Sequence, residues 1–247
     1  EVGQALGEQC INQNIDVILG PGTNIKRSPL CGRNFEYFSE DPFLAGKMAS
    51  GYIQGTKKTG VGTSLKHFAV NSQESNRMTI NEVVDERAFR EIYLTPFEIA
   101  VKEAQPETVM CSYNRINGVF SSDNKYLLTD ILRNEWGFEG LVVSDWNALN
   151  DRVKGILAGM DLEMPSCGGR TDKEIVKAVL DGSLAEADLD IVVERILTLC
   201  FKVIEAHDEG YFYNYRDGHK LARRVANESI VLMKNDKNAL PIDHTNK

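Results

Sequence analysis

Short apolar runs recur along this chain with a helical stretch between each pair, and that alternation confines the fold to parallel strands joined by helices. The runs are Val17-Ile18-Leu19, Gly62-Thr63-Ser64-Leu65, Thr108-Val109-Met110-Cys111, Leu141-Val142-Val143 and Met160-Asp161-Leu162-Glu163-Met164. Helical patterns fall at about 41–57, 85–104, 124–135, 147–158 and 171–180, each opening on Asp, Asn or Thr, residues that favour N-caps. Parallel neighbours need right-handed crossovers, so the candidates are a (β/α) barrel and an open doubly wound sheet. A standard barrel has eight strands, and five are visible here. The chain opens inside an amphipathic pattern (Val2, Ala5, Leu6, Gln9, Cys10) with no start signal at Glu1, so further units are expected before residue 1.

The C-terminal part reads differently. A long helix near 187–206 is followed by a polar, aromatic segment from Asp208 to Gly218 and a further helix to about Asn227. Ile230-Val231-Leu232-Met233-Lys234 and Leu240-Pro241-Ile242 then read as the first strand of another unit. The expected division is residues 1–207 as a partial barrel domain, and 208–247 as a linker and the beginning of a second α/β domain.

Composition excludes several classes. With 247 residues, 42% hydrophobic and 26% charged, the chain suits a soluble α/β domain with a sizeable core. A net charge of -8 without a basic stripe argues against nucleic acid as a partner. No apolar run approaches the roughly 20 residues that cross a bilayer, so no membrane role is expected. Cys10, Cys31, Cys111, Cys167 and Cys200 form no close pair, which favours reduced, mostly buried thiols and a cytoplasmic location. The four histidines lie far apart, and the glycine-rich segments at 20–22 and 168–169 lack phosphate-loop spacing. No metal and no cofactor are expected.

Polar groups cluster just beyond the apolar runs, on the face where barrel enzymes bind ligands. Pro21-Gly22 and Gly32-Arg33-Asn34-Phe35-Glu36-Tyr37-Phe38-Ser39-Glu40-Asp41-Pro42 follow the first. Lys66-His67-Phe68-Ala69-Val70-Asn71 follow the second, Ser112-Tyr113-Asn114 the third and Asp145-Trp146 the fourth. Asp145 ends a buried strand, which suits catalysis, although an Asp there could equally cap the next helix. Each residue has a structural alternative: Arg33 could pair with Glu36 or Asp41, Lys66-His67 could be a solvated loop pair, and Tyr113 and Trp146 could be packing aromatics. Asp85 reads as the cap of the helix carrying Phe89, Ile92, Tyr93 and Phe97, with Glu86 or Arg87 as a brace for the loop 71–81.

In this order and spacing, the Gly32 to Pro42 segment, Lys66-His67-Phe68, Val84-Asp85-Glu86-Arg87, Ser112-Tyr113-Asn114 and Val142-Val143-Ser144-Asp145-Trp146 resemble glycoside hydrolase family 3 along essentially the whole chain. The resemblance implies a (β/α) TIM-like barrel, incomplete at its amino-terminal side, and retaining hydrolysis of terminal β-D-glucosyl residues. It implies Asp145 as the nucleophile that forms a glycosyl-enzyme intermediate. Arg33, Lys66 and His67 then bind sugar hydroxyls, with Lys66 beside the Asp145 carboxylate, Tyr113 stands next to the nucleophile, and Trp146 offers an apolar face to the sugar ring. The Trp after the nucleophile resembles the glucosidase branch more than the xylosidases.

Two family features are missing from these residues. A retaining glycosidase needs a second carboxyl group about 5 to 5.5 Å from the first, and the resemblance implies that a following domain or a complementary chain supplies that Glu. The loop 69–77 lacks the Gly-His-Gly signature of the N-acetylglucosamine branch, and Glu74 is its only acid. The family's first two strands and a sugar-binding Asp are also absent. The rival expectations are a non-catalytic sugar-binding or regulatory barrel remnant, a β-xylosidase or other β-glycosidase of the family, and an open-sheet protein with a different small-molecule ligand.

Overall fold

The computed structural model describes residues 1–206 and 212–242. Contacts divide the chain into two compact units, Glu1–Tyr211 and Phe212–Lys247.

In the first unit, helix α1 (Val2–Asn12) leads to β1 (Val17–Ile18), α2 (Pro42–Lys57) and β2 (Gly62–Phe68). After β3 (Asn81–Glu82), residues 86–104 run as one winding path, α3 (Glu86–Ala88), a π-type segment (Phe89–Leu94) and α4 (Thr95–Ala104). Then come β4 (Thr108–Cys111), the short β5 (Arg115–Ile116) and β6 (Val119–Phe120), a second π-type helix (Tyr126–Glu135) and β7 (Leu141–Ser144). Helices α5 (Arg152–Ala158), α6 (Arg170–Asp181) and α7 (Glu186–Ala206) complete the unit.

Strands β1, β2, β4 and β7 form one parallel sheet in that order. Every residue of β4 and β7 is buried, as expected where helices cover one face and further core the other. Spatial order equals chain order, with no reversal. A doubly wound sheet reverses at a switch point, so this sheet is a run of consecutive barrel-type staves, and no closed barrel forms among the described residues. A separate three-stranded sheet, β3-β5-β6, stands beyond the C-terminal ends of β2 and β4 in the chain.

The main core lies between the sheet and its helices. Phe68 at the end of β2 meets Phe97 of α4 at 5.2 Å and Trp136 at 5.8 Å between ring centroids. Helices α2 and α4 pack so closely that a Cβ on Gly46 would lie 2.8 Å from the Ile99 Cβ, closer than real side chains approach. Asp41, Asp85 and Asp151 cap α2, α3 and α5 by accepting from Leu44, Ala88 and Lys154 backbone N–H groups.

Three expected elements change. The fifth strand, 160–164, shrinks to a single bridge between Leu162 and Val143. Both Asp161 and Leu162 N–H groups converge on the Val142 carbonyl, and the Asp161 side chain takes the Val142 N–H, which ends the ladder. The helix expected at 147–158 begins only at Arg152, behind a turn in which Asn147 has φ 62°. Residues 230–234 form no strand and are mostly exposed, because no described segment offers them a ladder partner.

The boundary expected at 207/208 lies outside the described residues. In the second unit, α8 (Tyr215–Ser229) is capped by Asn214, and Tyr213 packs edge-on against Tyr215 at 5.1 Å. Among the described residues no helix is long and apolar enough to cross a membrane. Cys10, Cys31 and Cys111 are buried, Cys167 is half-buried, and Cys200 on α7 is exposed; all five thiols are free.

Candidate active site

Strand β2 pairs regularly with β4 up to Leu65, then shifts register before Phe68. Such an irregularity re-aims side chains. The Lys66–His67 and Phe68–Ala69 peptide bonds in this stretch are cis. Asn24 clamps the His67 backbone from both sides: its amide N–H donates to the His67 carbonyl at 2.9 Å, and its Oδ1 accepts the His67 N–H at 2.8 Å.

His67 is 1% exposed. Burial, and then the charges of Arg33, Lys66 and Arg77, depress its pKa well below the usual imidazole value, so the ring is neutral near pH 7. Its Nε2 lies 3.6 Å from Asp145 Oδ2, and its Nδ1 lies 3.2 Å from the Tyr37 hydroxyl.

Asp145 sits just past β7, 8% exposed. Its Oδ1 accepts the Trp146 backbone N–H at 2.7 Å. Oδ2 is buried and has no hydrogen-bond partner among the described residues. The helix-cap alternative fails here, since the next helix starts at Arg152 under its own cap, Asp151. A buried carboxylate oxygen without a partner is costly unless something else uses it.

The remaining expected residues surround this pair. Tyr113 is buried, and its hydroxyl pKa is pushed up to about 12, first by burial and then by the neighbouring Asp145 charge. Trp146 is 42% exposed and leaves part of its indole open to solvent. Lys66, expected beside Asp145, ion-pairs instead with Glu36 at 3.4 Å, and Arg33 also pairs with Glu36, as one of its structural alternatives anticipated. Burial alone would raise the Glu36 pKa, but the Arg33 hydrogen bond and the Lys66 charge outweigh it and hold the group below its ordinary range. Asp41 is used elsewhere, as a helix cap.

Further residues join the site that motif reading did not single out. Asn71 donates to the Tyr37 hydroxyl at 3.3 Å and to Glu74 Oε1 at 3.1 Å. Glu74 pairs with Arg77 at 2.7 Å, and the Arg77 guanidinium lies 4.5 Å from the Tyr113 ring centroid. Tyr37, Glu36 and Asn71 stood inside the quoted motifs, so position was a signal although their partners were not. Arg77 carried no spacing signal. Glu86 and Arg87 do not brace the loop 71–81: they pair with Arg90 and Glu91, while Arg115 holds the loop through the Thr79 carbonyl at 2.7 Å.

A cleft of about 860 Å³ lies elsewhere, at the N-terminal ends of β4 and β7 between Glu107, Leu141, Arg133 and Arg195. The strand-end cluster is distinguished by its chemistry: a buried carboxylate oxygen unpaired among the described residues, a neutral imidazole facing it, and three cations (Arg33, Lys66, Arg77) and two further carboxylates (Glu36, Glu74) close by.

The family described as "Glycosyl hydrolase family 3 N terminal domain" matches residues 1–199. The chain is 56% identical over 241 residues to "Thermostable beta-glucosidase B" of Acetivibrio thermocellus, covering 98% of this chain and 32% of that protein. It is 51% identical over 244 residues to "Exo-alpha-(1->6)-L-arabinopyranosidase" of Bifidobacterium breve, again covering 98% and 32%. Among solved structures it superposes on the β-glucosidase of Bifidobacterium adolescentis with a TM-score of 0.93 at 50% identity, covering 97% of this chain and 36% of that one. On β-glucosidase 3B of Thermotoga neapolitana in complex with glucose the TM-score is 0.92 at 44% identity, covering 98% and 35%. The chain thus spans about a third of the length of the curated relatives it matches.

Proposed function

Because this chain belongs to glycosyl hydrolase family 3, we propose that the protein is a retaining β-glucosidase that releases terminal, non-reducing β-D-glucosyl residues from small β-glucosides or oligosaccharides. The observation that carries this reading is Asp145 Oδ2, buried at a strand end, without a hydrogen-bond partner among the described residues and facing neutral His67 at 3.6 Å. In the first step Oδ2 attacks the anomeric carbon while the bond to the leaving oxygen breaks. In the second, water attacks the same carbon and frees the carboxylate.

Arg33, Lys66 and His67 bind sugar hydroxyls in this reading, and Trp146 lays its half-open indole against the ring. Glu36 ties Arg33 and Lys66 together, so the two cations are held in place before the sugar arrives. Tyr113 keeps its proton at neutral pH and is a donor beside the nucleophile.

The general acid must be a protonated carboxyl group close to Asp145. Glu36 is held in its charged form by Arg33 and Lys66, and Glu74 is committed to Arg77 and Asn71. Neither suits the role, which supports an acid/base Glu from a further domain or a complementary chain. The five free thiols support a cytoplasmic location.

The test is incubation of the full-length protein with a 2-deoxy-2-fluoro-β-glucoside carrying an activated leaving group, followed by peptide mass analysis. An adduct on the Asp145 peptide is expected. An adduct on another carboxylate, or rapid glucoside hydrolysis by an Asp145→Ala variant, overturns the assignment. The 51% identity to an exo-α-(1→6)-L-arabinopyranosidase favours a second reading on the same site: aryl β-D-glucoside and aryl α-L-arabinopyranoside compared side by side decide by their kcat/KM ratio.

A further inference from the structure

We propose that Tyr37 is a positioning residue whose hydroxyl donates to His67 Nδ1, fixing the imidazole as the Nε2–H tautomer and aiming that N–H at Asp145 Oδ2. The catalytic consequence rests on the β-glucosidase reading, whereas the tautomer does not.

The argument follows a chain of contacts whose direction is set at its far end. Glu74, ion-paired with Arg77 at 2.7 Å, can only accept a hydrogen bond. Asn71 therefore presents its NH2 group, donating one hydrogen to Glu74 at 3.1 Å and the other to the Tyr37 oxygen at 3.3 Å. Having accepted there, the Tyr37 hydroxyl directs its single proton to its other neighbour, His67 Nδ1, at 3.2 Å. Tyr37 is 3% exposed, and burial raises its pKa, so that proton stays on the oxygen.

A neutral imidazole has one N–H and one acceptor nitrogen. With Nδ1 accepting from Tyr37, the N–H is at Nε2, 3.6 Å from Asp145 Oδ2, which has no hydrogen-bond partner among the described residues. The opposite tautomer would set the Nε2 lone pair against Asp145 Oδ2, acceptor to acceptor. It would also leave the Tyr37 proton without its acceptor, in exchange for a longer contact of 3.4 Å from Nδ1 to Asn24 Oδ1, an atom already accepting the His67 backbone N–H. Three features of the geometry therefore favour one tautomer, one each at Asp145, Tyr37 and Asn24. The ring contact of Tyr37 with His67, edge-on at 6.2 Å between centroids, holds the two side chains in register.

The test reads the tautomer directly, by long-range 1H–15N correlation on the full chain labelled with 15N-histidine, with His67→Gln used to assign the signal. The wild-type spectrum is expected to show His67 with its proton on Nε2. A wild-type signal with the proton on Nδ1 overturns the proposal outright, and needs no variant to do so. In Tyr37→Phe the ring keeps its packing but Nδ1 loses its donor, and the expected result is a shift toward the Nδ1–H form. An unchanged Nε2–H signal in that folded variant also overturns it. Where the Asp145 adduct forms, Tyr37→Phe is expected to slow its formation about tenfold with little change in the concentration dependence. Absence of any adduct in the wild type would overturn the β-glucosidase reading and leave the tautomer to be judged by the spectrum alone.

Discussion

Asp145 and Asp161 are both buried carboxylates within one short stretch of chain around β7, and the fold treats them in opposite ways. Asp161 is 0% exposed and fully engaged: Oδ2 accepts from Arg133 and from the Val142 N–H, each at 2.7 Å, and Oδ1 accepts from Arg195 at 2.8 Å. Asp145 has one oxygen tied to the next residue's N–H and the other without a hydrogen-bond partner among the described residues. A buried charge with both oxygens engaged holds neighbouring elements together, here β7, the second π-type helix and α7. A buried charge with an open oxygen, next to a neutral His and at a strand's C-terminal end, is a place for a ligand atom. The same residue type thus marks structure or chemistry according to how completely its partners are supplied.

The comparison breaks most visibly if Asp145 proves dispensable. Asp145→Asn in the full-length protein is expected to cut glucoside turnover by roughly 10³-fold or more, because no covalent intermediate can form. Its denaturation midpoint should stay near that of the wild type, since only one backbone hydrogen bond to that side chain is weakened. Asp161→Ala should do the reverse. Removing a fully buried carboxylate that pairs with the half-buried Arg133 and Arg195 costs about 3–5 kcal/mol, measurable by urea titration, while the adduct at Asp145 per folded molecule persists. Two variants that lose activity and stability in equal measure would show that the two carboxylates are not specialised as described.

A smaller effect sharpens the site's side of the comparison. His67 has a folded-state pKa below its unfolded value of about 6.5, so the unfolded chain binds a proton that the folded one refuses. Its contribution is fully present above about pH 6.5 and is lost as pH falls from there toward the folded value, with a slope of at most about 1.4 kcal/mol per pH unit. Stability measured between pH 7 and 5 should decline in the wild type and decline less in His67→Gln. A matching slope in both would mean that His67 is not held neutral by burial.

Local pattern carried much of this architecture. β2, β4 and β7 were legible because both of their faces are buried, which writes a continuous apolar run into the chain. Asp145 was legible because it interrupts such a run at its C-terminal end. The Arg33–Glu36 pair could be weighed because the two residues stand three apart. The fifth strand was misjudged for the opposite reason: its alternating Met160 to Met164 pattern looks regular, yet the Asp161 side chain takes a backbone donor that the ladder would have used. The helix expected from 147 also failed on a local competition, won by the Asp151 cap and the turn before it.

By itself the sequence determined that the chain is an α/β protein of parallel strands, that its polar motifs gather at the strand ends, and that they resemble one glycosidase family. Those are properties of hydrophobic period, turn chemistry and residue order, all of which act over a few positions. Only the tertiary structure decided which groups face one another. Tyr37 reaches His67 across 30 residues, Lys66 turns to Glu36 rather than Asp145, and two arginines 62 residues apart converge on Asp161. Such pairings are set by strand register and the packing of helices on the sheet, and no local spacing records them.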